Sequence, residues 1–146
     1  MNYKLGADLL VLLFAACSAI AQTPSAVTNS DINGVWRGQM NDLPAITLLV
    51  TDEGGSLTGA ILFYFRQRIT EKDPWTAEPG LPEPIFHPQF DGKTLLFEVS
   101  HRRAHPPRTL NDPPMHFRLT LSGADAAEIV NIDESGPALK LVRSNY

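Results

Sequence analysis

The stretch "PIFHPQFDGKTLLFEVSH", residues 84–101, reads as two extended runs folded about an Asp-Gly pair. Asp-Gly suits the positive φ angles of a two-residue hairpin turn, so residues 84–90 are expected to pair with residues 94–101. Beyond the turn, side chains alternate with a period of two. Leu95, Phe97 and Val99 fall on one face, and Thr94, Leu96, Glu98 and Ser100 on the other. Pro84 and Pro88 cannot donate to a strand ladder, which places the first run at a sheet edge or a bulge.

The same rhythm runs outward in both directions. "GVWRGQM" (34–40), "AITLLVTDE" (45–53), "SLTGAILFYFRQR" (56–68), "MHFRLTLSG" (115–123), "AAEIVNIDE" (126–134) and "ALKLVRS" (138–144) are short and rich in β-branched, aromatic or leucine residues. "NDLP", "DEGGS", "SGAD" and "DESGP" punctuate them as turns. No stretch from residue 33 onward keeps a helical period. The expectation is an all-β domain over 33–146, an antiparallel up-and-down meander of seven or eight strands. It either closes into a small barrel or folds as a β-sandwich; closure has the attraction of removing unpaired edges.

Alternation also nominates an interior. Leu57, Ile61, Phe63 and Phe65 share one face of 56–65, and Met115, Phe117, Leu119 and Leu121 share one face of 115–121. With Phe97 these rings either fill the interior or line a cavity for an apolar molecule. Two proline-rich connections interrupt the meander: "ITEKDPWTAEPGLPEP" (69–84) and "AHPPRTLNDPP" (104–114). Both exceed ordinary hairpin loops. They are expected to cap one end, with Trp75 at the edge of an entrance, or to engage an envelope protein partner as an interaction or inhibitor module.

The start of the chain reads as an address. Lys4, the apolar run "LLVLLFAA" (9–16) and the small-x-small "AIA" (19–21) form an export signal over residues 1–21, followed by a flexible lead-in over 22–32. The apolar run is shorter than a membrane-spanning helix requires, and no other long apolar run follows. The product is expected to be periplasmic or secreted. The alternative is a lipid anchor at Cys17, since "FAAC" (14–17) is close to the bacterial lipobox. Cys17 is the only cysteine, so the domain holds no disulfide. A formal charge of −4, with scattered arginines, argues against a nucleic-acid partner.

Chemistry concentrates in residues 98–121, which hold His101, His105 and His116. The i, i+4 pair His101 and His105 precedes two prolines, so a helix that would bring both onto one ion is excluded. In an extended chain they lie about 13 Å apart, too far for zinc at about 2 Å from each nitrogen. If Phe97 is to share a face with Phe117, His116 falls on the outer face beside Ser100 or Arg102, and no metal site results. Arg102, Arg103 and Arg108 with His105 offer an anion-friendly tip. There is no Gly-x-Ser-x-Gly turn, no cysteine beyond Cys17 and no glycine-rich phosphate loop. Glu98 or Asp112 with His101 or His105 could form an acid–base pair for an enzyme reading, as any hairpin of this composition could. No catalytic residue and no cofactor is assigned.

"NGVWRG" (33–38) resembles the Gly-x-Trp signature of the calycin superfamily, which includes the lipocalins. Gly34 and Trp36 match it. The resemblance implies a barrel whose tryptophan closes the floor, with a basic residue near the chain's end packed across it. Arg143, on the same face as Leu139 and Leu141, is placed to be that residue. The lipocalin Thr-Asp-Tyr-type loop motif is not evident. The opening is also similar to that of small exported bacterial proteins of unassigned role. The expected function is non-catalytic binding of a small apolar or amphiphilic molecule by Ile61, Phe63, Phe65, Trp75, Phe97, His101, Arg103, Arg108 and Phe117.

Overall fold

The computed structural model describes residues 29–100 and 113–144. The expected export signal with Cys17, the expected ligand residues His101, Arg103 and Arg108, and Asp112 lie outside them. The described residues form one 3-10 turn, Asn29–Asp31, and nine strands. These are β1 (Gly34–Met40), β2 (Leu43–Glu53), β3 (Ser56–Gln67), β4 (Thr76–Pro79), β5 (Glu83–Phe90), β6 (Thr94–Val99), β7 (Met115–Leu121), β8 (Ala126–Asn131) and β9 (Leu139–Ser144). Among the described residues no helix is long and apolar enough to cross a membrane.

Every strand pairing is antiparallel, and eight strands close on themselves. β1 pairs with both β2 and β9, while β2–β3, β3–β5 and the meander from β5 to β9 complete the ring. Barrel rather than sandwich is therefore the answer. The seam is short: Val35 faces Ser144, Trp36 faces Arg143, Arg37 faces Val142 and Gly38 faces Leu141. Gly38 has to be glycine-small there, since a Cβ would stand 2.5 Å from a Leu141 methyl.

The turns divide the labour differently from expectation. Asn41 and Asp42 both take positive φ, 51° and 63°, and make the tight two-residue link from β1 to β2. In "FDGKT" only Gly92 does so, at 95°. Asp91 instead accepts hydrogen bonds through Oδ1 from the amides of Lys93 (2.8 Å) and Thr94 (2.6 Å). Those amides favour the carboxylate and hold Asp91 below the ordinary aspartate value, the Thr94 amide most of all.

β5 keeps its pairing with β6 by a bulge between Phe86 and Gln89. His87 sits there at φ 49° ahead of Pro88, and the extra residue reverses the alternation. Ile85 and Phe90 consequently both turn inward, which strict parity would forbid. Proline is accommodated inside a closed barrel because the bulge needs no donor at that point.

The interior is apolar and dense over most of its length. Trp36, Leu48, Val50, Ile61, Leu95, Phe97, Val99, Leu119, Ala127, Ile129 and Leu141 are all nearly or fully buried. Phe97 and Phe117 stand directly opposite in β6 and β7 and stack at 5.5 Å between ring centroids. Phe63 adds a third ring 5.8 Å from Phe117.

Three expectations are corrected. The segment 69–84 contains a ninth strand, β4, which pairs only with Tyr64–Gln67 of β3. Phe65 does not line the interior; it is 62% exposed. The reason is strand length. β2 accompanies β3 only as far as Phe63, and β5 only at Ala60 and Ile61, so β3 runs out past the rim and carries β4 with it. Within the expected lead-in, Asn29–Asp31 form a 3-10 turn and Ile32 is fully buried, so these residues belong to the folded domain.

Candidate functional site

Chain direction sorts the barrel into two ends. At one end lie the 3-10 turn, the β2–β3, β5–β6 and β7–β8 turns and the end of β9. Trp36 fills this end, fully buried, and its indole N–H donates to the Ile32 carbonyl at 2.9 Å. Arg143 lies across the indole, its guanidinium carbon 4.5 Å from the ring centroid. Its Nη1 donates to Asn33 O at 2.6 Å, its Nη2 donates to Asp31 O, and its Nε lies 3.5 Å from Asp125 Oδ1. Gly34 takes φ 132°, a conformation that suits glycine, and lies within contact of the Arg143 stem. Two backbone carbonyls and the Asp125 carboxylate thus hold the guanidinium across the ring. This end is sealed.

Among the described residues, nothing covers the other end. Here β1 turns into β2, β3 leaves the ring, β8 passes to β9, and the chain runs from β6 to β7. A cleft of about 290 Å³ enters between these elements. Phe63 and Phe117 form its aromatic floor, and Met40, Pro44, Ile46 and Leu139 its apolar walls. Arg66 and Asn131 add polar groups at its border. Ile61 and Phe97 do not reach it; they belong to the packed interior beneath, at 0% and 2% exposure.

Beyond the rim stands the β3–β4 hairpin. Trp75 is about half-exposed, with Arg66 and Arg68 over its ring at 4.9 and 4.7 Å to the centroid. Gly80 donates its amide to Phe63 O at 2.8 Å and lies under the Phe65 ring, where a Cβ would stand 2.7 Å from it. The expected ligand residues therefore divide. Phe63 and Phe117 meet at the cleft, Ile61 and Phe97 support it from below, and Phe65 and Trp75 stand on the hairpin outside it.

A polar row on the outer face escaped the sequence reading. His87 Nδ1 lies 3.2 Å from Glu98 Oε2, and His116 Nε2 lies 4.0 Å from Glu98 Oε1. Asp133 accepts from the His116 amide at 2.7 Å and lies 3.1 Å from its Nδ1. The amide bond, above all, holds Asp133 below the ordinary aspartate value. The predicted parity was correct, but His116 faces Glu98 rather than Ser100 or Arg102, because Phe97 opposes Phe117 directly. That register alone would have paired His116 with Glu98; the bulge that brings in His87 left no comparable sign.

The row links side chains of three adjacent strands. His87 and His116 stand on β5 and β7 with β6 between them, two strand spacings or about 10 Å apart. Among the described residues no group of three or more His, Cys, Asp or Glu side chains is placed to hold a metal ion. Glu98, the partner expected for His101 in an acid–base pair, is taken up by His87 and His116.

Comparison with known proteins finds no family model, no curated protein and no solved structure that matches the chain.

Proposed function

We propose that the protein is an exported, calycin-like barrel that binds a small apolar or amphiphilic molecule without transforming it. The observation that carries this reading is the open cleft over Phe63 and Phe117, set above a packed interior and opposite a sealed end. Its size lies near the lower bound of ordinary ligand pockets, which run from about 300 to 1,000 Å³. The Gly34, Trp36 and Arg143 arrangement at the sealed end supports the calycin-like assignment, since each residue takes the part that the resemblance implied. The leader over residues 1–21 supports export, with either release after residue 21 or attachment through Cys17.

The test is to titrate the exported protein with an environment-sensitive apolar dye and to analyse it by native mass spectrometry as isolated. Saturable dye binding at one site, or a co-purifying small molecule, is the expected result. Neither a bound molecule nor a titratable site would remove the reading.

One observation favours a second reading, in which the β3–β4 hairpin docks on an envelope protein. Ile69 at its tip and Leu81 at its base are 95% and 81% exposed, on the hairpin that also carries Phe65 and Trp75. Replacing residues 68–82 by a short polar turn should abolish capture of such a partner while leaving dye binding intact.

A further inference from the structure

We propose that the mouth cleft takes a small aromatic monoanion, with its ring on Phe63 and Phe117 and its carboxylate at Arg66. This rests on the ligand-binding reading above and narrows it to one chemical class.

Size comes first. A cleft of about 290 Å³ has room for about ten waters at roughly 30 Å³ each, and so for a one- or two-ring molecule. Depth is no remedy. Below Phe117 the interior is occupied by Phe97, Ile61, Leu95 and Leu119, each at 2% exposure or less. A long acyl chain threading down the barrel would have to displace all four, and interiors packed to this density tolerate little added volume.

Shape comes second. The floor is built of rings: Phe97 stacks on Phe117, and Phe63 tilts against Phe117 at 37° between planes. Such a surface favours a flat aromatic guest, because offset and edge-on ring contacts add about 0.5–1.5 kcal/mol beyond burial.

Charge comes third. Arg66 borders the cleft, and among the described residues no carboxylate lies within 4 Å of it. Its guanidinium is positioned by Trp75, and the same ring carries Arg68 on the adjoining position of the hairpin. A cation held at an apolar rim, with its donors paired to none of the described carboxylates, is complementary to an anionic head group. Arg143 makes the contrast, since backbone carbonyls and Asp125 occupy it. Arg66 was not among the residues that sequence suggested for this role; Arg103 and Arg108 were.

The experiment is calorimetric titration of the exported protein and its Arg66→Gln variant with 2-naphthoate, 2-naphthylmethanol and hexadecanoate. Arg66 is exposed, so the variant is expected to fold, and circular dichroism checks this. The expected result is 2-naphthoate binding that weakens about tenfold in Arg66→Gln, the loss of one charge-assisted contact. Binding of the neutral alcohol should not change between the two proteins, and hexadecanoate should bind at least about tenfold more weakly than 2-naphthoate. Hexadecanoate binding as tightly as 2-naphthoate would overturn the size argument while upholding ligand binding. An unchanged naphthoate affinity in Arg66→Gln would overturn the assignment of the carboxylate to Arg66. Failure of all three probes would overturn the inference, and if the apolar dye also fails to bind, the ligand-binding reading falls with it.

Discussion

The barrel holds two tryptophan–arginine pairs, one at each end, and they differ in nearly everything except geometry. Trp36 under Arg143 is fully buried, with its indole N–H satisfied and the guanidinium committed to carbonyls of Asn33 and Asp31. Trp75 under Arg66 and Arg68 lies outside the ring, about half-exposed, on a hairpin joined to the barrel through β3. The same cation–π contact closes the molecule at one end and presents charge at the other. What decides between the two uses is the surroundings: burial and hydrogen bonds to backbone carbonyls make a plug, whereas exposure at the rim makes a handle.

If that contrast is right, stability should reside at the sealed end. Trp36→Ala removes a fully buried indole and is expected to cost about 3–5 kcal/mol in urea unfolding. Should the loss stay below about 1 kcal/mol, the plug is not where the stability lies. Arg143→Ala leaves two carbonyls without their donors and bares the indole, for an expected loss of about 1–3 kcal/mol by the same measurement. Trp75→Ala at the open end should change stability by no more than about 0.5 kcal/mol, because the ring is exposed and no barrel strand depends on it. A loss as large as that of Arg143→Ala would erase the distinction between the ends.

The smallest expected effect is acid sensitivity beside the mouth. Asp133 is held below its ordinary value of 3.8, first by the His116 amide, so its carboxylate stabilises the folded chain at neutral pH. That contribution is complete above about pH 3.8 and fades as pH falls below it toward the depressed folded value. Asp133→Asn should therefore be less stable than the parent at pH 7, and the two unfolding curves should converge in acid. A gap that widens as pH falls would show that the carboxylate is not the stabilising form.

Most of the barrel was legible in sequence, and the reasons are local. Strands were marked by strict two-residue alternation, and "PIFHPQF" by its partner across "FDGKT". Trp36 and Arg143 could be paired from opposite ends of the chain only through the calycin resemblance, and they stand directly opposite in β1 and β9. What was not legible depends on where neighbours stop. Phe65 continues the inward parity of Phe63, yet it is exposed because β2 and β5 end short of it. β4 was hidden in a proline-rich segment that resembles a loop, since its four residues gain order only from the protruding end of β3. Arg66 was hidden for the same reason: on a full-length barrel strand it would be one more outward-facing charge. The bulge at His87 reverses parity without announcing itself, and it alone brings His87 to Glu98.

The most direct test of an open end above a plugged one is a two-dimensional NMR titration of the protein with 2-naphthoate. The indole N–H of Trp36, hydrogen-bonded to Ile32, provides a probe of the sealed end. Shifts confined to Phe63, Phe117, Ile46 and Leu139, with the Trp36 indole unmoved, are the predicted result. Shifts centred on Trp36, or on the outward-facing Leu49 and Phe86 instead of the mouth, would contradict the account.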